Sequence, residues 1–117
     1  MKAFALLGLL LLAGTARAAW LEIPINTSSN GPTTIIAGIT GKTIRVFGYW
    51  VASSAATTAY FNNGVTALSG PVTLLAGGNW TVDRDSLPWY TCASGANFTL
   101  TQTGAAQLSG RLYYTQD

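Results

Sequence analysis

The longest predicted β-strand of this chain reads Gly41-Lys42-Thr43-Ile44-Arg45-Val46-Phe47-Gly48-Tyr49-Trp50-Val51-Ala52-Ser53. β-Branched and aromatic residues fill this stretch, and both types fit the pleated surface of a sheet. A Gly-Lys pair precedes the strand and a small polar cluster follows it, as turn-forming residues do on either side of a strand. We therefore expect this strand to be the centre of the fold.

Alternation of side chains along a strand divides this stretch between two faces. The face predicted to be buried carries Ile44, Val46, Gly48 and Trp50, and the opposite face carries Thr43, Arg45, Phe47, Tyr49 and Val51. The second face is polar at Arg45 but apolar at Phe47, Tyr49 and Val51. A loop, a second sheet or another chain could cover these three side chains. We expect an oligomer interface formed by Phe47, Tyr49 and Val51.

The remainder of the chain predicts an all-β fold. Short apolar segments alternate with Gly, Asn, Ser and Pro about every ten residues, which is the rhythm of a sandwich. No segment after the first 18 residues shows the apolar spacing of a helix. Asn62-Asn63-Gly64 predicts a hairpin turn, because these residues tolerate positive φ. We expect a single antiparallel β-sandwich or jelly roll of about eight short strands.

The first 18 residues have the three-part pattern of a secretory signal peptide. Lys2 supplies the positive start, residues 3–13 are apolar, and Ala16-Arg17-Ala18 is a cleavage signal. The apolar part is too short to span a membrane. Residues 1–18 are therefore predicted to be a signal peptide, and residues 19–117 one β-sandwich domain.

Charge is sparse and balanced after residue 18. The charged side chains are Lys42, Arg45, Arg84 and Arg111 against Glu22, Asp83, Asp85 and Asp117. A nucleic-acid-binding protein needs a basic surface, so this balance argues against a nucleic-acid partner. It also argues against attraction to acidic membranes, and we expect no membrane contact after leader cleavage. A near-neutral surface tends to associate, which favours a homo-oligomer.

The sequence lacks the residue types that most catalytic and metal sites need. It has no histidine, which excludes a Ser-His-Asp triad and His-based metal sites, and a single cysteine, Cys92. We expect Cys92 to be a buried free thiol, with an intermolecular disulfide as the alternative. The acidic cluster Asp83-Arg84-Asp85 could hold calcium or act as an acid–base pair, but a solvated turn is favoured. We predict no catalytic residue, no cofactor and no metal.

Aromatic residues are the remaining functional candidates. Exposed flat rings on a β-sandwich can stack on sugars, and Trp80, Trp89 and Tyr113 are candidates for such a glycan platform. The alternative is that these rings lie in the core or in a subunit interface, where Trp and Tyr are also common.

A family resemblance extends over roughly residues 41–115. The matching features are Gly41-Lys42-x-Ile44-Arg45-Val46 with Tyr49, Phe61-x-x-Gly64, Leu68-x-Gly70-Pro71, Gly77-Gly78, Pro88-Trp89-Tyr90, Gly95, Leu100 and Gly110-x-Leu112-x-Tyr114. In this order they resemble a family of small uncharacterised virion proteins of tailed bacteriophages, of the decoration or tail type. The resemblance implies an all-β sandwich that serves as a structural, decoration or attachment module, without catalytic residues.

Two hypotheses follow for function. The first is a non-enzymatic structural or attachment module that self-associates and is either exported or part of a virion. The alternative is a secreted carbohydrate-binding module with a surface glycan as its partner. The leader predicts a secreted, extracellular or periplasmic protein, whereas the resemblance implies a virion.

Overall fold

A computed structural model describes residues 20–117 of the chain. The predicted signal peptide lies outside these described residues. Within them the chain forms strands and no helix. The strands are β1 (Leu21–Thr27), β2 (Gly31–Ile36), β3 (Ile44–Ser53), β4 (Thr57–Asn63), β5 (Thr66–Ala67), β6 (Val72–Leu74), β7 (Asn79–Val82), β8 (Tyr90–Thr91), β9 (Phe98–Gln102) and β10 (Leu108–Gln116).

The strands form two antiparallel sheets that pack together as a β-sandwich. The first sheet has the order β1-β10-β3-β7, and β8 also pairs with β3. The second sheet has the order β2-β9-β4-β5, and β6 also pairs with β4. The predicted all-β sandwich is confirmed. The described residues contain ten strands instead of about eight, since β5 and β8 are pairings of only two residues each.

An aromatic cluster joins the two sheets at the centre of the core. Tyr49 on β3 meets Phe61 on β4 edge-on, with ring centroids 4.8 Å apart. Phe61 in turn stacks on Phe98 of β9 at 4.9 Å. Trp80 on β7 closes the cluster with its ring edge-on to Tyr49 at 5.2 Å. Edge-on and offset contacts of this kind stabilise aromatic cores beyond the area that they bury.

A β-bulge in β3 changes the predicted division of its two faces. Gly48 pairs with Tyr113 of β10 and Val46 pairs with Tyr114, so that Phe47 has no partner on β10. An extra residue in one strand reverses the alternation of the side chains that follow it. Before the bulge, the core positions of Ile44 and Val46 are confirmed, with exposures of 1% and 0%.

Beyond the bulge, the predicted faces are wrong. Tyr49 and Val51 are 2% and 0% exposed and lie in the core, whereas Trp50 is 40% exposed on the opposite side. Tyr49 and Val51 therefore have no surface to offer a second subunit. Phe47 does lie on the outer side, but the ring of Trp20 covers it at a centroid distance of 5.6 Å. The three residues predicted as an oligomer interface, Phe47, Tyr49 and Val51, therefore do not form one exposed face of the described chain.

Two local predictions concern a hairpin turn at Asn62-Asn63-Gly64 and the burial of Cys92. The β4–β5 hairpin closes through the two-residue turn Gly64-Val65, in which Gly64 has a φ of 60°. The predicted hairpin is confirmed at Gly64, because a glycine at the first turn position supplies the positive φ that such a turn needs. Asn62 and Asn63, which were predicted to lie in the turn, belong to β4. The predicted burial of Cys92 is also confirmed, since its side chain lies in the core.

Buried Gln102 fixes the connection between β9 and β10. Its Nε2 atom donates a hydrogen bond of 2.9 Å to the carbonyl of Ala106, and the Ala106 N–H donates one of 3.1 Å to its Oε1 atom. Thr57 donates a further hydrogen bond of 3.0 Å to the same oxygen. A buried amide costs little when its polar atoms are paired in this way. The side chain thus substitutes for backbone pairing across the turn.

The bulge predicts opposite effects at two neighbouring positions of β3. Val51→Asp should lower the free energy of unfolding by roughly 3–5 kcal/mol, because it places an unpaired charge in the core. The matched control Ala52→Asp, on the half-exposed outer side, should change it by less than about 1 kcal/mol. Urea denaturation followed by circular dichroism measures both values. Equal losses in the two variants would contradict the assignment of the faces.

Candidate binding surface

The outer face of the first sheet is the side turned away from the second sheet. Strand register places its side chains in rows that run across β1, β10, β3 and β7. One row contains Pro24, Arg111, Trp50 and Thr81, and the next contains Asn26, Ser109, Ala52 and Asn79. Trp50 is the only large aromatic side chain in these two rows. It therefore lies in mainly polar surroundings near the middle of the sheet.

The β7–β8 loop, residues 83–89, is anchored to the bulge. The N–H of Asp85 donates to the carbonyl of Phe47 at 3.1 Å, and the N–H of Trp89 donates to the carbonyl of Val46 at 2.7 Å. The indole Nε1 of Trp89 donates to the carbonyl of Asp83 at 3.0 Å. These hydrogen bonds hold the loop in one position, although most of its side chains are exposed.

Arg84 places this loop over the outer face. Its guanidinium carbon lies 5.1 Å from the ring centroid of Trp20 and 4.7 Å from that of Tyr113, within the range of cation–π attraction. The Arg84 backbone lies directly over Gly48, where a Cβ atom would be 2.7 Å from the Arg84 nitrogen. Gly48 is therefore required for the close approach of the loop.

The three residues of the predicted glycan platform do not lie together. Trp80 points into the core against Tyr49 and Phe61, so it is wrongly placed in that platform. Tyr113 is on the outer face but is half-buried beneath Arg84. Trp89 is 52% exposed on the β7–β8 loop. Of the predicted set, only Trp89 presents a largely exposed ring.

Sequence reasoning missed Trp50 and Arg111 as surface residues. Arg111 lies directly opposite Trp50 in the β10–β3 register and is exposed. The error at Trp50 follows from the bulge, since strict alternation placed this ring inside. A glycine in the middle of a strand often marks a bulge, and Gly48 was the one available signal.

The acidic residues of the β7–β8 loop form a turn and no wider cluster. The Asp85 carboxylate accepts a hydrogen bond of 2.7 Å from the N–H of Ser86. Arg45 pairs with Asp117 at 2.6 Å and not with this loop. Residues 20–117 contain no group of three His, Cys, Asp or Glu side chains that could hold a metal ion. The Asp85 carboxylate thus forms its hydrogen bonds within the turn itself.

A shallow depression of about 260 Å³ lies on the other sheet. It is lined by Ala56, Thr57, Thr58, Thr73, Thr103 and Gly104. Its polar groups are hydroxyls and backbone atoms, and none of its side chains titrates near neutral pH. The depression lies at the end of β4 and β6, on the sheet that carries neither Trp50 nor the β7–β8 loop. It therefore offers no chemistry to the candidate surface.

Two buried groups have raised pKa values. Burial raises the pKa of the Cys92 thiol to about 11, because the charged thiolate is disfavoured away from water. Burial, together with the hydrogen bond to Tyr90 at 2.9 Å, raises the pKa of Tyr49 above its ordinary value. Both groups therefore stay neutral at physiological pH, and both pack within the core.

The geometry defines a β-sandwich whose candidate surface consists of exposed aromatic and basic side chains. Comparison of the chain with protein-family models, curated proteins and solved structures gave no match. Within residues 20–117, no helix has the length and apolar character that a membrane crossing requires.

Gly48→Ala should release the β7–β8 loop. The added methyl group would lie 2.7 Å from the Arg84 nitrogen and 2.8 Å from its Cα, so the loop backbone must move. We expect a loss of about 1–3 kcal/mol in stability and faster hydrogen exchange at residues 83–89. Gly70→Ala is the matched control, because a Cβ atom there meets open space. Unchanged exchange in the Gly48 variant would show that Arg84 does not rest on this glycine.

Stability should fall at high pH because of Cys92. The unfolded chain loses the thiol proton near pH 8.5, whereas the folded protein retains it until the pH passes about 11. Between these values the unfolded state binds fewer protons, so the free energy of unfolding decreases, by about 1–3 kcal/mol. Denaturation of the native protein and of Cys92→Ala over this pH range isolates the effect, since tyrosines contribute equally to both. Parallel pH profiles would contradict it.

Proposed function

We propose that this protein is a non-enzymatic structural or attachment module that assembles with copies of itself. The β7–β8 loop carries the proposal, because it exposes two large apolar side chains close together in the chain. Leu87 is 73% exposed and Trp89 is 52% exposed. Exposed apolar groups that lie together are a common feature of subunit contacts.

The anchoring of this loop favours association. Its backbone is hydrogen-bonded to Val46 and Phe47, and its indole is tied to the carbonyl of Asp83. A contact surface that is already ordered loses little conformational entropy when a partner binds. Burying side chains such as Leu87 and Trp89 is worth about 1.5–3 kcal/mol each, and an ordered loop loses less of this gain to the cost of ordering its backbone.

Charge does not oppose such an assembly. The charged side chains after residue 18 are equal in number for the two signs. Copies of a neutral protein experience little long-range repulsion as they approach one another. A balanced surface with an apolar loop therefore favours contacts between identical chains.

The family resemblance supports the same role. One of its motifs, Pro88-Trp89-Tyr90, contains the exposed tryptophan of the loop. Proteins of this family are virion components, in which repeated copies of one chain must contact each other or a common support. We accordingly propose a decoration or attachment role, on a virion or, after export through the predicted leader, outside the cell.

Native mass spectrometry and light scattering test this proposal. The purified protein should form a discrete oligomer, and the double variant Leu87→Ser, Trp89→Ser should shift it toward the monomer by at least about tenfold in dissociation constant. Val65→Ser is the matched control, because Val65 is 99% exposed on the β4–β5 hairpin of the other sheet. A native protein that stays monomeric at high concentration would refute the proposal.

A further inference from the structure

We propose that the outer face around Trp50 is a binding site for polysaccharides that carry carboxylate groups. The site consists of Trp50, Arg111, Thr81 and Asn79, which neighbour one another through the strand register. This proposal adds a ligand, an acidic polysaccharide, to the self-association proposed above. It also uses none of the residues of the β7–β8 loop, so the two proposals can fail separately.

Trp50 lacks the ring partners that Trp20 and Trp80 have. Trp20 contacts Phe47 and Arg84, and Trp80 packs on the core aromatics. Among residues 20–117, the ring of Trp50 has no aromatic or cationic partner, and the residue is 40% exposed. An aromatic face of this kind attracts the apolar C–H face of a sugar ring.

The position of Trp50 makes it a rigid platform. It lies on β3 between Arg111 of β10 and Thr81 of β7, so its backbone is paired on both sides. A site on paired strands holds its side chains more precisely than a site on a loop. The site lies on the outer face of a sheet, and an open face of this kind suits an extended chain more than a small free ligand.

Arg111 gives this platform its charge preference. Within the described residues it forms no ion pair, whereas Arg45 pairs with Asp117 and Arg84 stacks on two rings. Its neighbours across the strands are Trp50 and Pro24, and neither can accept a hydrogen bond through its side chain. A guanidinium group presents paired N–H donors that match a carboxylate. A uronic acid would thus place its carboxylate on Arg111 while its ring stacks on Trp50.

Polar groups on the other side of Trp50 complete the site. The Thr81 hydroxyl donates to Asn79 Oδ1 at 2.8 Å, which fixes the amide so that its NH2 group remains available as a donor. Both residues are exposed. Donors of this kind can bind sugar hydroxyls next to the stacked ring. The arrangement of aromatic ring, cation and amide therefore favours an acidic sugar over a neutral one.

The site can be tested by measuring binding of polygalacturonate. Its fully methyl-esterified form is the matched neutral ligand. Affinity electrophoresis and tryptophan fluorescence should show that the native protein binds the acidic polymer at least about tenfold more tightly, as expected for a charged hydrogen bond. Arg111→Gln should abolish this preference. Trp50→Ala should weaken binding of both polymers, and Val65→Ser should behave as the native protein.

Oligomer size and thermal melting of each variant distinguish this site from a subunit contact. The site is supported if Trp50→Ala and Arg111→Gln stay folded and keep the native oligomeric state while losing the acidic polymer. Absence of a preference for the acidic polymer in the native protein would overturn the proposal. A monomeric Trp50→Ala that still binds the polymer would overturn it as well, since Trp50 would then be a subunit contact.

Discussion

The unpaired residue Phe47 is the constraint on which the whole arrangement depends. One extra residue in β3, opposite Tyr113 and Tyr114 of β10, reverses the faces of the strand beyond it. Because of this reversal, Tyr49 enters the core, where it meets Phe61 of the other sheet at 4.8 Å. The same reversal turns Trp50 outward. The junction between the sheets and the exposed aromatic surface therefore have one common origin.

The β7–β8 loop covers the bulge in β3. Carbonyl groups of Val46 and Phe47 accept hydrogen bonds from the β7–β8 loop, so the irregular part of the strand is not left unpaired. Gly48 leaves room for the loop backbone, and Arg84 extends from there across Trp20 and Tyr113. A loop with few core contacts is thus held by backbone bonds and a stacked cation. Leu87 and Trp89 remain exposed because these contacts, and not burial of their side chains, fix the course of the loop.

Much of the fold could be predicted from residue patterns, and most of the candidate surface could not. Local properties of the sequence predict three features correctly: the alternation of buried and exposed side chains up to Val46, the hairpin at Gly64 and the burial of Cys92. The bulge is different, because it is a mismatch between β3 and a strand about sixty residues later in the chain, and strict alternation cannot reveal it. Trp50, Tyr49 and Val51 were therefore assigned to the wrong faces. Trp80 was misplaced for another reason, since a four-residue strand gives too little pattern to decide its face.

The antiparallel pairing of β1 and β10 has a mechanical consequence. Leu21 lies opposite Tyr114, so residues 20 and 117 leave the first sheet at the same end. Force applied between these two points would open the β1–β10 hydrogen bonds one after another, as in a zipper, instead of shearing them all at once. Tension between residues 20 and 117 would therefore act on one β1–β10 residue pair at a time, which lowers the force that this edge of the sheet can withstand.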